Sequence, residues 1–323
     1  GGLAMASVLA CAAFGAISGS TVATTATIAQ VAYPEMRRIN YSGRLATAAL
    51  ATGGTMGVLL PPSVTLMVYA ILTEQNITKT FLAAYVPAFL AAAGYIAAIA
   101  IYVRLKPEHA PAAKAASGKE IAQAAAGVWP IALIFVAVFG GIYGGIFTPT
   151  EGAAIGATLT FVFALIKRQL TFRTAIESIR TTAVTSGMIF MIFIGADMIN
   201  ASLALSQLPN QLADVIAHAA VPPPVVMAAI MIFYVILGCV MDELSMLLLT
   251  IPVIFPAIMG LPLLGLAAEP KAIWFGILVL MTVGIGMTAP PVGLNVYVVN
   301  SLARDVSMSE TAKGVMPFLA TDV

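Results

Sequence analysis

Two apolar runs, residues 46 to 72 and 273 to 302, are each cut near the middle by a Pro-Pro pair, Pro61-Pro62 and Pro290-Pro291. Each run is long enough to cross a bilayer core, which takes roughly 20 helical residues. Proline has no amide hydrogen, and its ring displaces the carbonyl four residues earlier. Pro61 and Pro62 are therefore expected to free the carbonyls of Gly57 and Val58, and Pro290 and Pro291 those of Gly286 and Met287. In hydrocarbon an unpaired carbonyl is costly unless protein, water or an ion satisfies it. A desolvated cation is one such partner. A kink kept only for packing is the simpler alternative.

The solvent around these runs follows from composition. The 323 residues are 60% hydrophobic and 9% charged, against roughly 25% charged in a soluble domain. The chain reads as an all-α integral membrane protein embedded in the lipid bilayer. Its net charge of +1, with the Lys and Arg confined to short hydrophilic breaks, gives no footprint for nucleic acid. Cys11 and Cys239 lie in separate apolar stretches and read as small buried hydrophobes. His109 and His218 fall in loops without a ligand-spaced partner, and no HExxH, Walker A or dinucleotide signature is present. Ser18 beside Gly19 invites an intramembrane protease reading, but no apolar segment carries the histidine it would need. The expectation is a protein that is not an enzyme and has no cofactor other than coupling ions.

Residues 82 to 104, 128 to 147, 152 to 166 and 182 to 200 read as crossing helices, the third of them short. Two further stretches are apolar but interrupted centrally, so each reads as a re-entrant pair of half-helices. The first is residues 3 to 34, with its tip at Gly15 to Ser20. The second is residues 224 to 259, with its tip at Gly238 to Glu243. Basic residues cluster in alternate breaks: Arg37, Arg38 and Arg44; Arg104, Lys106, Lys114 and Lys119; Lys167, Arg168, Arg173 and Arg180; Arg304 and Lys313. The breaks around Glu74 and Lys79, Glu151, 197 to 224, and Glu269 and Lys271 have no basic excess. Because basic loops favour the cytoplasm, the two hairpins enter from opposite faces.

The chain thus holds an inverted repeat of a hairpin followed by a Pro-Pro broken helix. Residues 1–72 form the first unit and 224–302 the second, with connecting and scaffold helices at 73–223 and the start of a terminal helix at 303–323. Half-helices meeting near the midplane are the architecture of secondary transporters. Candidate cation and substrate ligands are Ser18, Gly19, Ser20, Gly57, Leu60, Pro61 and Ser63 in the first unit. In the second they are Gly238, Asp242, Gly286, Thr288, Ala289, Val292 and Asn295. A cation is expected at the Gly57 and Gly286 regions, where glycine lets a second backbone come close. Thr282 is a further candidate, although any single hydroxyl can instead bond its own helix backbone. Asp242 and Glu243 lie at membrane depth, where acidic groups are costly and signal function. Asp242 also precedes a helix start it could cap. Thr148, Pro149 and Glu151 have the spacing of a capping box.

FGAISGSTVA, GGTMGVLLPPSVTLMVYA, GGIFTPTEGAAIGA, MDELSMLLLTIPVIFPAI and GMTAPPVGLNVYVV together resemble the large membrane subunit of tripartite ATP-independent periplasmic (TRAP) transporters, over essentially the whole chain. The resemblance implies sodium coupling and an elevator-type motion of the hairpin domain. It also implies a small (Q-type) membrane subunit, separate or fused, and a periplasmic solute-binding protein that delivers an organic acid. The location implied is a multi-pass place in the bacterial inner membrane. It further implies that the sodium sites use backbone oxygens at the hairpins and broken helices. Many relatives have threonine before the second Pro-Pro pair, whereas this chain has Ala289, so only a backbone carbonyl is offered there. The repeat symmetry leads us to expect a piece of a longer protein, lacking scaffold helices ahead of residue 1 and a helix beyond residue 323. A sodium and divalent-anion symporter working without a binding protein is the alternative, but neither hairpin tip has the paired Ser-Asn-Thr signature that would favour it.

The alternation of basic breaks predicts residues 105 to 120 and 167 to 180 on the cytoplasmic side, and 73 to 80 and 204 to 222 on the periplasmic side. A single cysteine placed at Lys114 should resist an impermeant thiol reagent in intact cells. Labelling from outside would mean that both hairpins enter from one face.

Overall fold

The computed structural model describes residues 1–323 except 112–116, 208–210, 212–220, 264 and 323. Lys114, His218 and most of the break from 204 to 222 therefore lie outside the described residues. Every regular element among the described residues is helical. The first hairpin is α1 (Gly2–Ser18) and α2 (Thr21–Arg38), and the first broken helix is α3 (Gly43–Gly54), the single turn α4 (Met56–Leu59) and α5 (Val64–Leu72). There follow α6 (Ile77–Leu105), a 3-10 turn at Pro107–His109, α7 (Gly118–Tyr143), α8 (Pro149–Ile166) and α9 (Phe172–Leu205). The second hairpin is α10 (Pro223–Gly238) and α11 (Glu243–Gly260), the second broken helix is α12 (Ala268–Thr288) and α13 (Leu294–Leu302), and α14 (Met308–Asp322) closes the described chain.

Among the described residues six helices are long and apolar enough to cross a membrane: α6, α7, α8, α9, α11 and α12. The pair running from Gly43 to Leu72 bends by 41° at its break and adds a seventh if counted as one span. Both Pro-Pro bonds are cis. At 17 and 16 residues, α1 and α10 are short for a crossing of roughly 20. The first hairpin turns on two residues, narrower than expected, because Gly19 adopts φ 63° and its N–H closes α1 on the Gly15 carbonyl at 2.8 Å. That left-handed helix end suits a residue without Cβ. The first broken helix has an additional interruption at Thr55, whose hydroxyl donates back to the Thr52 carbonyl at 2.7 Å. α9 has 34 residues, well beyond the expected 182 to 200, because its polar first turns continue the helix outside the apolar stretch.

The chain divides into two compact units, Gly1–Ala113 with Ala196–Val323, and Lys114–Gly195. In the smaller, α7 packs on α8 with Trp129 edge-on to Phe163. α7 stops at Tyr143 because Gly145 turns the chain at φ 70° and the Phe147 ring folds back onto Gly141. The expected capping box is present: Glu151 N–H donates to Thr148 Oγ1 at 3.3 Å, and Thr148 N–H donates to Glu151 Oε2 at 2.7 Å.

In the larger unit each hairpin packs on its own broken helix: α1 and α2 on α3 and α4, and α10 on α12. The segment after each break then crosses to the other half. α5 packs on α11 and α12, while α13 packs on α2 and α3. Two polar anchors fix this exchange. Tyr69 of α5 donates to the Ala272 carbonyl of α12 at 2.6 Å, with its ring against Gly276. Asn295 of α13 donates to the Ala51 carbonyl of α3 at 3.3 Å.

Charged residues gather at the two ends of this unit. At one end Arg37 pairs with Asp305 at 2.8 Å, Arg44 approaches Glu310 at 3.8 Å, and Ser42 N–H donates to the His109 carbonyl. A hydrogen bond from the Tyr33 hydroxyl, with Arg37 beside it, holds the Asp305 carboxyl below the usual carboxylate range. At the other end Lys79 pairs with Glu269 at 2.7 Å. The 29 residues of α6, about 43 Å of helix, connect the two ends. The breaks around Arg37, His109 and Asp305 are thus together, as are those around Lys79 and Glu269, which is the grouping the alternating charges led us to expect.

Lys271, at 8% exposure, donates to the carbonyls of Met259 and Leu261 at 2.9 and 2.8 Å and so caps the end of α11. Lys271→Met should leave those acceptors without a donor and cost about 1–3 kcal/mol. The check is a thermal melt of the detergent-purified protein, where an unchanged midpoint would show the cap to be dispensable.

Candidate functional site

The first hairpin meets the first broken helix through glycine. A Cβ on Gly15 would lie 2.5 Å from Gly57 Cα, so no side chain fits between α1 and α4. Oxygen atoms surround this contact. A Cβ on Gly57 would stand 3.0 Å from Thr24 Oγ1 and 3.1 Å from the Ser20 carbonyl. Ser18 Oγ is 2.7 Å from Thr24 Oγ1. Ser20 and Ser63 cap the starts of α2 and α5, accepting from Ala23 N–H at 3.4 Å and Leu66 N–H at 3.2 Å. Such a hydroxyl oxygen keeps a lone pair for a second partner. The Gly57 carbonyl has no amide four residues on, because that residue is Pro61, while Leu60 N–H closes α4 on Met56 at 3.0 Å.

The second hairpin repeats this contact in different chemistry. A Cβ on Gly286 would lie 2.6 Å from the Val235 carbonyl and 2.9 Å from Gly238 Cα. Here the oxygens are mostly main-chain. The Cys239 thiol faces the Ala289 and Pro290 carbonyls at 3.6 and 3.9 Å. The Thr288 and Thr282 hydroxyls return to their own helix, Thr288 on Gly284 and Ile285, Thr282 on Leu278. One expectation is corrected: the Gly286 carbonyl is not left free, because the chain tightens before the break and Ala289 N–H reaches it at 3.2 Å. Val292 is 42% exposed and lies at the rim of this region.

The halves meet between these two contacts. Asp242 caps α11 by accepting from Leu244 N–H at 3.0 Å and Ser245 N–H at 3.2 Å, as its position before the helix suggested. Its neighbour Glu243 is buried and reaches the other hairpin, accepting from Thr21 N–H at 3.2 Å and Thr21 O–H at 2.8 Å. Asn295 is wholly buried, and its Oδ1 has no hydrogen-bond donor, like the Oγ1 atoms of Thr25 and Thr65. Behind the first break, Tyr95 of α6 bonds Thr55 at 3.0 Å and Asp322 at 2.9 Å. Glu243 and Lys271 are the only buried charged side chains among the described residues.

Comparison of the sequence with known proteins places the chain that carries these two contacts in a family. The family model described as "Tripartite ATP-independent periplasmic transporter, DctM component" matches residues 1–323. The chain belongs to this family. It is 32% identical over 321 residues to the C4-dicarboxylate TRAP transporter large permease protein DctM of Pseudomonas aeruginosa, covering 99% of this chain and 73% of that protein. It is 28% identical to the 2,3-diketo-L-gulonate TRAP transporter large permease protein YiaN of Escherichia coli, covering 99% and 73%. It is also 27% identical to the ectoine/5-hydroxyectoine TRAP transporter large permease protein UehC of Ruegeria pomeroyi, covering 99% and 72%. This TRAP permease is accordingly a protein of the bacterial inner membrane.

Within the TRAP permease the expected residues fall into three groups. Ser18, Ser20 and Gly57 come together at the first contact, with Gly19 against Val64 next to Ser63 and with Leu60 and Pro61 in the break that follows Gly57, while Gly238, Gly286 and Ala289 come together at the second, with Thr288 turned back onto its own helix. Asp242 and Asn295 lie on the segments that join the halves, and Val292 stands apart at the surface. Three residues escaped sequence reasoning: Thr21, Thr24 and the thiol of Cys239. Thr21 and Thr24 carried a usable signal, since they lie in the first turn after the Ser20 cap. Gly15 lies in the tip expected at Gly15 to Ser20, though nothing in the sequence singled it out as the residue that meets Gly57.

Gly15→Val and Gly286→Val should force the tips off their breaks and reduce uptake at least tenfold while the subunit still reaches the membrane. Uptake by membrane vesicles, normalised to folded protein from fluorescence-detected gel filtration, checks this. Wild-type uptake by both variants would show that the close contacts are incidental.

Proposed function

We propose that this TRAP permease imports a small organic acid together with sodium ions, taking the acid from a periplasmic solute-binding protein and working beside a small membrane subunit. The observation that carries the proposal is the pair of glycine contacts, each setting a hairpin tip against a helix broken by two prolines. Such a break offers carbonyl oxygens that no amide can fill, and a hard cation accepts oxygen ligands. At the first contact the Gly57 carbonyl, Ser18, Ser20 and Thr24 would supply them. At the second, the carbonyls around Gly286, Ala289 and Pro290 would, which fits a chain with Ala289 ahead of the proline pair. Asn295 Oδ1, buried without a donor, supports a polar guest near the junction.

The substrate would bind between the hairpin tips and the broken helices. Residues 15 to 25, 51 to 65, 238 to 246 and 284 to 296 contain no Arg or Lys. Recognition of a carboxylate would rest on helix N-termini, hydroxyls and amides, at about 0.3–1 kcal/mol each. Such a site is weak and permissive. A binding protein with an arginine supplies the missing affinity, since a bidentate guanidinium-carboxylate pair is stronger and more selective. Transport would follow from an elevator-type displacement of residues 1–72 and 224–302 against scaffold helices.

Reconstitution of the complete membrane subunits in liposomes tests this. Uptake of the acid should require an inward sodium gradient and fall at least tenfold when the binding protein is left out. Saturable, sodium-driven uptake without the soluble protein would favour a symporter that works alone.

A further inference from the structure

We infer that the hydrogen-bonded bridge between Thr21 and Glu243 couples the two cation sites, so that an ion bound at one hairpin raises the affinity at the other; this rests on the sodium reading above. Ser20 caps α2 and Asp242 caps α11, so Thr21 and Glu243 are the first helical residues of the second arm in each repeat. They are equivalent positions in the two halves, and they bond to each other across 222 residues of sequence. Thr21 is fully buried and Glu243 is 4% exposed. The carboxylate accepts both Thr21 donors, the amide at 3.2 Å and the hydroxyl at 2.8 Å, and so fills an N–H that the start of α2 leaves without a helical partner.

Each end of the bridge touches a candidate cation site. Thr21 follows Ser20, whose carbonyl faces Gly57. The Thr21 hydroxyl is also 3.3 Å from Met287 Sδ, and Met287 follows Gly286. Glu243 follows the tip that seats Gly238 on Gly286. An ion that fixes the first tip fixes Thr21, which holds the start of α11 where the second tip needs it. By linkage the second ion does the same for the first. Burial makes this coupling close to all-or-none, because a half-broken bridge leaves polar groups unsatisfied away from water. Glu243 acts here as a positioning residue, with no direct contact to an ion.

The test is the sodium dependence of uptake by the complete transporter in proteoliposomes, with the binding protein present. Wild type should respond sigmoidally, with a Hill coefficient above one. Thr21→Val, which keeps shape but loses the hydroxyl, and Glu243→Gln, which loses one acceptor, should bring the coefficient to about one and raise half-saturating sodium roughly 5-fold or more. Thr21→Ser should restore the wild-type curve. A purely structural role would lower the maximal rate or the yield of folded protein and leave the coefficient alone. Sigmoidal curves in folded Thr21→Val or folded Glu243→Gln overturn the inference while sparing the sodium reading. A hyperbolic wild-type curve also overturns it, and uptake indifferent to sodium overturns the sodium reading itself.

Discussion

A helix broken by two prolines needs another backbone laid against it, and this chain has such a break in each half. Most of the larger unit follows from that need. The broken helices run on into α5 and α13, which cross to the opposite half. The hairpins lay their tips against the breaks, and only glycine at Gly15, Gly57, Gly238 and Gly286 lets backbones approach so closely. Hydroxyls crowd the first contact and carbonyls the second. The two contacts share a geometry without sharing the chemistry of their oxygens.

Much of this was legible in the sequence, for local reasons. A missing amide is fixed by the proline itself, a capping box by four consecutive residues, and a helix-capping aspartate by its place before an apolar run. The Pro-Pro breaks, the Thr148–Glu151 box and the Asp242 cap follow from such signals. Charge alternation between breaks also grouped the ends of the larger unit correctly, because loops at one end share ion pairs such as Arg37 with Asp305. What sequence could not supply was pairing over distance. The Glu243 carboxylate drew notice as an acidic group in an apolar stretch, but its partner Thr21 lies 222 residues away. The length of α9 was missed because hydropathy measures the part of a helix in hydrocarbon, and this helix continues past it.

Family membership and substrate are separate matters here. The relatives' names carry a dicarboxylate, a diketogulonate and ectoine, at comparable identity to this chain. If the proposed site lies at the junction, the absence of arginine and lysine there leaves it few strongly directional contacts with an anion. Chemical discrimination would have to come from side chains that differ at the rim, or from a soluble partner.

The exchange of α5 and α13 between halves also imposes an order on synthesis. Tyr69 is buried against α12, with its hydroxyl on Ala272, 203 residues later in the chain. Ribosomes add about 5–20 residues per second, so the first half waits on the order of 10–40 s before the segment it packs against exists. During that interval α5 must sit in lipid or against the insertion machinery with a tyrosine hydroxyl that has yet to meet its carbonyl. The nascent first half therefore carries a buried-type hydroxyl without its acceptor until α12 is made.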